Sequence, residues 1–306
     1  SDMIPSTARG RRTSDRCSWL WMLLVTSGLS VSLLAHAYEG SQHQYLSFLA
    51  AKQFNYCASS TDILMLTPLQ VRYMARANVG LADRSLFARM FNWRYFDPAH
   101  QAESSVLWMV DTRFHEHFNE INTRLKAMDD PVEAYRDVGR ILNYVQLVSS
   151  PARAVPVYAG RFWRFSFEDR FDHYPMDEDA LEMALGSDCS FLESSPGEYS
   201  EVLSTVAADT LRGVKEVIPG MPVTWTAFWT PSRRLGDFGD YGAAGNNFGR
   251  KTDFRCGEGQ RCILLKDDPL YAEFALARHL SAVRGSIAVM QLMQMRMRDT
   301  LASARR

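Results

Sequence analysis

An all-helical fold follows from three features of the sequence. Apolar residues recur at helical spacing, as in Tyr45, Leu46, Leu49, Ala50 and Phe54. Helix starts repeat one pattern, an oxygen-bearing residue followed by proline: Thr67-Pro68, Asp130-Pro131, Ser195-Pro196 and Asp268-Pro269. Only the stretch near 221–266 departs from this, as a short β-like and loop insert rich in Gly and turn residues. The expected organisation is an N-terminal segment 1–37 followed by one helical domain, 38–306.

The elements are expected in this order. A helix covers His43 to about Ala58, and another opens at Thr67-Pro68 and runs to about Asn78. Asp83 to Met90 reads as a short helix, and 103–127 as one long amphipathic helix. Asp130-Pro131-Val-Glu133 combines an N-cap, a first-turn proline and a capping-box glutamate, starting a central helix that ends in a Pro-punctuated loop near 151–158. Residues 151–177 are aromatic and irregular. Asp177 to Leu185 is helical, and Ser195-Pro196-Gly-Glu198 opens another helix, to about Val217. Val223 to Trp229 reads as extended, Leu235 to Gly259 as loop, and a last helix runs from Asp268-Pro269 to about Met297.

With 46% apolar residues in 306, the chain can bury one large core or two modest ones. A formal net charge of −1 lacks the basic footprint that nucleic-acid binding leaves. At the N-terminus Arg11, Arg12 and Arg16 precede an uncharged run from Cys17 to Ala35, followed by the small-x-small site Ala35-His36-Ala37. This is the order of a secretory signal, with Tyr38 as the mature start. The run is also nearly long enough to span a bilayer, so membrane contact through 17–37 is the alternative. Either way the body faces an oxidising compartment: periplasmic, secreted or membrane-anchored.

Cys17 lies in that segment, leaving Cys57, Cys189, Cys256 and Cys262. An even number in an exported chain suggests disulfides. A bond between Cys256 and Cys262 would close a short Gly-containing loop, with Cys57–Cys189 as the long-range pair; buried free thiols are the alternative.

The stretch from Asp137 to Tyr158 places Asn143, Leu147 and Arg153 at spacing x, x+4, x+10. With Tyr38, His43 five residues later, Asp83 and Arg94-Tyr-Phe-Asp-Pro98, it resembles the zinc-dependent phospholipase C superfamily, which includes secreted single-strand nucleases. The resemblance covers about 38–177. It implies an all-helical frame around a trinuclear zinc site. In that family the first residue supplies its amine and carbonyl, and a His, an Asp and a second His take the places of His43, Asp83 and Arg94. A His-x-x-x-Asp-x-x-x-x-x-His motif falls on Asn143, Leu147 and Arg153, and a last His-x-x-x-Asp falls on His173 and Asp177.

The chemistry at these positions departs from that pattern. Leu147 has no lone pair, Arg94 and Arg153 are permanently cationic, and Asn143 is a weak donor. Zinc therefore enters only under an alternative reading, with His43, Asp83, His173 and Asp177 as weak candidate ligands. Two guanidiniums could instead hold a phosphate-bearing or lipid ligand. Against that, each Arg would be neutralised by a nearby acid such as Asp83. His115-Glu116-His117 reads as a solvated helix face, because alternate helical residues diverge. The rings from Phe162 to Tyr174 and the methionines Met290, Met293, Met295 and Met297 read as packing. Ser149 and Ser150 have no assignable base.

The expected function is an exported, non-catalytic phospholipase C-like module that binds a ligand or an envelope protein. The alternatives are a zinc-dependent phosphodiesterase with a rearranged site and a membrane-anchored subunit of a larger assembly.

Overall fold

The computed structural model describes residues 37–82, 93–97, 112–127, 130–158, 168–193, 197–233 and 238–304. The chain divides into two compact units, Ser1–Ala37 and Tyr38–Arg306, and the described architecture is that of the second. The N-terminal signal or anchor, Asp83 with the expected helix 83–90, and the rings at 162–167 lie outside the described residues.

The described residues are predominantly helical. The helices are α1 (Ala37–Ala58), α2 (Pro68–Ala82), α3 (Phe114–Ala127), α4 (Pro131–Leu147), α5 (Pro151–Ala154), α6 (Glu178–Leu185), α7 (Tyr199–Lys215) and α8 (Pro269–Ala304). The insert holds two antiparallel two-stranded sheets, β1 (Trp229–Thr230) with β2 (Asp240–Tyr241), and β3 (Thr252–Gly257) with β4 (Gln260–Leu264). No helix of the described residues is long and apolar enough to cross a membrane.

Local chemistry explains most boundaries. Thr67 and Gln70 exchange bonds at the start of α2, Thr67 Oγ1 accepting from Gln70 N and Gln70 Oε1 from Thr67 N, a reciprocal cap. Asp130 caps α4 by accepting from Val132 N at 2.9 Å. Glu133 pairs with Arg136. Asp268 caps α8 through Leu270 N at 3.1 Å.

Four expectations are corrected. α1 begins at Ala37 rather than His43, since no Pro interrupts that stretch and Gln42 is tied to the carbonyl of Tyr174 at 3.1 Å. Of the helix expected over 103–127, residues 103–111 lie outside the described residues; 112–113 are not helical, the Thr112 carbonyl accepting from Phe114 N, and the helix runs Phe114–Ala127. α8 continues past Met297 to Ala304. Trp225–Ala227 forms a 3₁₀ turn where an extended segment was expected. Trp225, Phe228 and Trp229 are all buried, a spacing of three and four that a strand, alternating faces, could not deliver.

The Leu235–Gly259 region is not all loop. β3 and β4 form a hairpin whose turn uses Gly259 at φ +71°, and Cys256–Cys262 links the two strands beside that turn. Cys57–Cys189, 132 residues apart, ties α1 to the segment after α6. Both pairs are disulfides, which points to an oxidising compartment.

Apolar side chains gather into two clusters. The first takes Leu46, Phe54, Met74, Phe118, Ile141 and Met290 from the helices. The second packs Phe171, Trp225, Trp229, Phe248 and Phe274 around the insert. α8, 36 residues and about 54 Å long, serves both: Tyr271, Phe274 and Ala275 lie in the second cluster, and Ala282 to Met293 in the first. Met290 and Met293 are thus core residues. α2 and α4 approach closely at Gly139, where a Cβ would stand 2.2 Å from the Met74 carbonyl oxygen.

Candidate functional site

The site is built on α4, a largely enclosed helix. From Asp137 to Leu147 every residue except Arg140 is buried, as for a helix surrounded by neighbours on all sides. Such a helix must satisfy any polar group it carries, since an unpaired buried amide costs about 1–3 kcal/mol. Three such residues interrupt its apolar surface: Asp137, Asn143 and Gln146.

Asp137 is clasped by Arg124 of α3, at 2.6 and 2.7 Å, and by Arg140. Asn143 and Gln146 anchor a network joining four helices. Arg94 Nη1 donates to Asn143 Oδ1 at 2.5 Å, and Asn143 Nδ2 donates to Asn78 Oδ1 at 2.9 Å. Asn78 Nδ2 in turn reaches Gln146 Oε1 at 2.9 Å and Ser47 Oγ at 2.8 Å. Gln146 Nε2 donates to the hydroxyls of Ser47 and Ser286, at 3.2 and 3.1 Å. Its Oε1 is therefore the acceptor for His43 Nδ1 at 2.7 Å, which fixes the proton on that ring nitrogen.

Arg153 continues the assembly on α5. Its Nη1 donates to the Arg94 carbonyl at 3.2 Å, and its Nη2 lies 3.6 Å from Asp172 Oδ2. Ser150 donates to the other oxygen of Asp172 at 2.6 Å. Asp169, fully shielded close by, accepts from Trp229 Nε1 (2.9 Å), Tyr241 OH (2.8 Å) and Phe171 N (2.8 Å). Burial raises the Asp169 pKa, while these bonds and the Arg153 charge oppose the rise. Burial first, then the Asp169 charge, pushes up the Tyr241 phenol.

The structure thus brings His43, Arg94, Asn143, Leu147 and Arg153 into one region. The acid beside Arg153 is Asp172, with Asp169 behind it. Neither was expected from sequence, although two acids inside the aromatic run Asp169-Arg-Phe-Asp172 were a signal. Tyr38 lies in the first turn of α1. His173 meets Glu168 at 2.5 Å, and Asp177 caps α6 by accepting from Ala180 N at 2.9 Å, so both are engaged locally. His115 is not a solvated residue: it packs on Phe96 and its Nε2 accepts from Asp97 N at 3.0 Å. Burial lowers its pKa.

A cleft opens where the two apolar clusters meet, lined by His43, Leu46, Leu147, Phe171, Asp172 and His279. It has about 40 Å³ of room, enough for a few waters, whereas small-molecule sites run to about 300–1,000 Å³. His279 of α8 is enclosed, and burial pushes its pKa down to about 4.

Asn143, Leu147 and Arg153 offer a metal ion no free donor. Both ends of the Asn143 amide are taken by Arg94 and Asn78, Leu147 offers the cleft a hydrocarbon surface, and Arg153 is paired with Asp172. Among the described residues, no three His, Cys, Asp or Glu side chains are grouped to hold a metal ion.

Comparison with protein-family models gives no match, and comparison with curated proteins and with solved structures gives none either.

Proposed function

We propose that this chain is an exported, non-catalytic module on a phospholipase C-like helical frame, serving a binding or structural role at the cell envelope. The observation that supports it most is what occupies the would-be metal positions. An apolar Leu147 sits where a bridging carboxylate is needed. Around it, polar groups are matched with one another: Arg94 with Asn143, Asn143 with Asn78, Arg153 with Asp172. Side-chain hydrogen bonds and guanidinium charge take over the cross-linking that metals would supply. The small cleft agrees, because a phosphodiester substrate needs more room. The Arg153–Asp172 pair also favours internal neutralisation over a phosphate- or lipid-binding role for that guanidinium.

The test is hydrolysis of bis(p-nitrophenyl) phosphate and of a short-chain phosphatidylcholine by the purified protein, with and without added zinc. Rates at the buffer background in both conditions are expected. Zinc-dependent turnover that disappears in His43→Ala would establish the phosphodiesterase reading instead.

A further inference from the structure

A separate groove runs between α7 and α8, closed at one end by the turn Ser190–Leu192. It has about 560 Å³ of room and shares no lining residue with the cleft at His43. The helices run antiparallel here: Arg278 meets Asp209 and Gly213, while Gly285 meets Val206. The second contact is tight, since a Cβ on Gly285 would lie 2.6 Å from Val206 Cγ2. Beyond that contact, the small Ala288 of α8 leaves space beside the buried Val202 of α7.

The two ends differ in chemistry. At one, Arg278 and Arg212 converge on a single carboxylate: Arg278 Nη1 donates to Asp209 Oδ2 at 3.1 Å, and Arg212 pairs with Oδ1. Arg278 is only 6% exposed, and its Nε has no hydrogen-bond partner. Arg284, exposed and less than two turns further along α8, lines the same groove. Glu201, the other acid of the lining, is occupied by the backbone N–H of Gly197 at 2.8 Å. Arg212, Arg278 and Arg284 thus share the groove with Asp209 and Glu201, while Glu216 also acts on Arg278 and Asp188 lies near Arg284. The opposite end, at Phe191, Val202 and Ala288, is mainly apolar, with the Glu201 carboxylate at its edge.

From this polarity we infer that the groove binds a single-chain amphiphile with an anionic head, either carboxylate or phosphate. The head lies against Arg212, Arg278 and Arg284, since guanidinium forks pair with such groups, and the chain runs along the apolar floor. From Arg278 to Ala288 the helix advances about 15 Å, enough for a medium-length acyl chain. The volume falls within the usual range for small-molecule sites, about 300–1,000 Å³.

Calorimetric titration of the purified chain with decanoate, decyl phosphate and decanol tests this. Saturable one-to-one binding of an anion is expected, at least tenfold tighter than the alcohol; which anion binds assigns the head group. Arg284→Glu should weaken the anions at least tenfold and leave the alcohol unchanged. Ala288→Trp fills the apolar end and should abolish binding of all three, with circular dichroism verifying the fold. If that variant unfolds, Thr205→Trp at the exposed rim blocks the same groove. The inference is overturned by absence of saturable binding, by equal affinity for anion and alcohol, or by binding that survives both the charge reversal and the groove-filling change.

Discussion

In Arg153→Met the side chain keeps much of its volume, while the carboxylates of Asp172 and Asp169 lose the cation beside them. The side chains of Arg153 and Asp172 are 17% and 10% exposed, so solvent screens the pair little. Removing one partner of a buried pair costs about 3–5 kcal/mol, because the other charge stays behind uncompensated. For a domain of about 270 residues, with about 2.1 cal/mol/K of unfolding entropy per residue, 4 kcal/mol lowers the thermal midpoint by about 7 °C. Scanning calorimetry reads this directly. Asp172→Asn should be destabilising by itself, and the double variant should lose about 1–3 kcal/mol less than the sum of the two single changes. An Arg153→Met midpoint equal to or above the wild type would rule out a stabilising ion pair. It would mark Arg153 as a cation held in readiness for a ligand.

Three further outcomes are expected. Gly139→Ala places a methyl group against the Met74 carbonyl and must push α2 off α4, costing about 3 kcal/mol in urea denaturation. Loss of the Cys57–Cys189 bond releases a loop of 132 residues, worth about 5 kcal/mol by chain entropy. Loss of Cys256–Cys262, with a separation of 6, is worth about 2; Cys→Ser variants under non-reducing conditions compare the two. The third concerns pH. The folded-state pKa of His279, about 4, lies below its ordinary 6.5, so as pH falls the unfolded chain takes up this proton first. Stability from the neutral imidazole is complete above about pH 6.5 and lost as pH falls towards 4, in all about 3 kcal/mol. Unfolding free energies at pH 7.5 and 4.5 should differ by about 2.5 kcal/mol more in wild type than in His279→Gln.

Much of the helical frame was legible because its signals are local. Thr67, Asp130 and Asp268 cap helices as their neighbouring prolines imply, and both disulfides follow from an even cysteine count with one obvious short loop. The insert was less legible. Trp225, Phe228 and Trp229 are β-prone residues, yet the need to bury all three in one cluster imposes a turn. The site was half legible. The spacing of Asn143, Leu147 and Arg153 pointed to α4 and the short α5 that follows it, but their partners come from elsewhere in the chain. Asn78, Ser286, Asp169 and Asp172 carry no motif, and only folding shows that Asn78 bridges α2 to α4 and that Asp172 faces Arg153. Asp177, one of the weak ligand candidates, has a local use as the cap of α6.

If side chains rather than metals hold this pocket together, the protein should be indifferent to zinc. Zinc titration calorimetry on EDTA-treated protein, paired with thermal midpoints before and after addition, decides the matter. No stoichiometric zinc uptake and superimposable melts are predicted, because a ligand that does not bind the native state cannot stabilise it. One or more equivalents of tightly bound zinc, with a raised midpoint lost in His43→Ala, would show instead that a metal site survives.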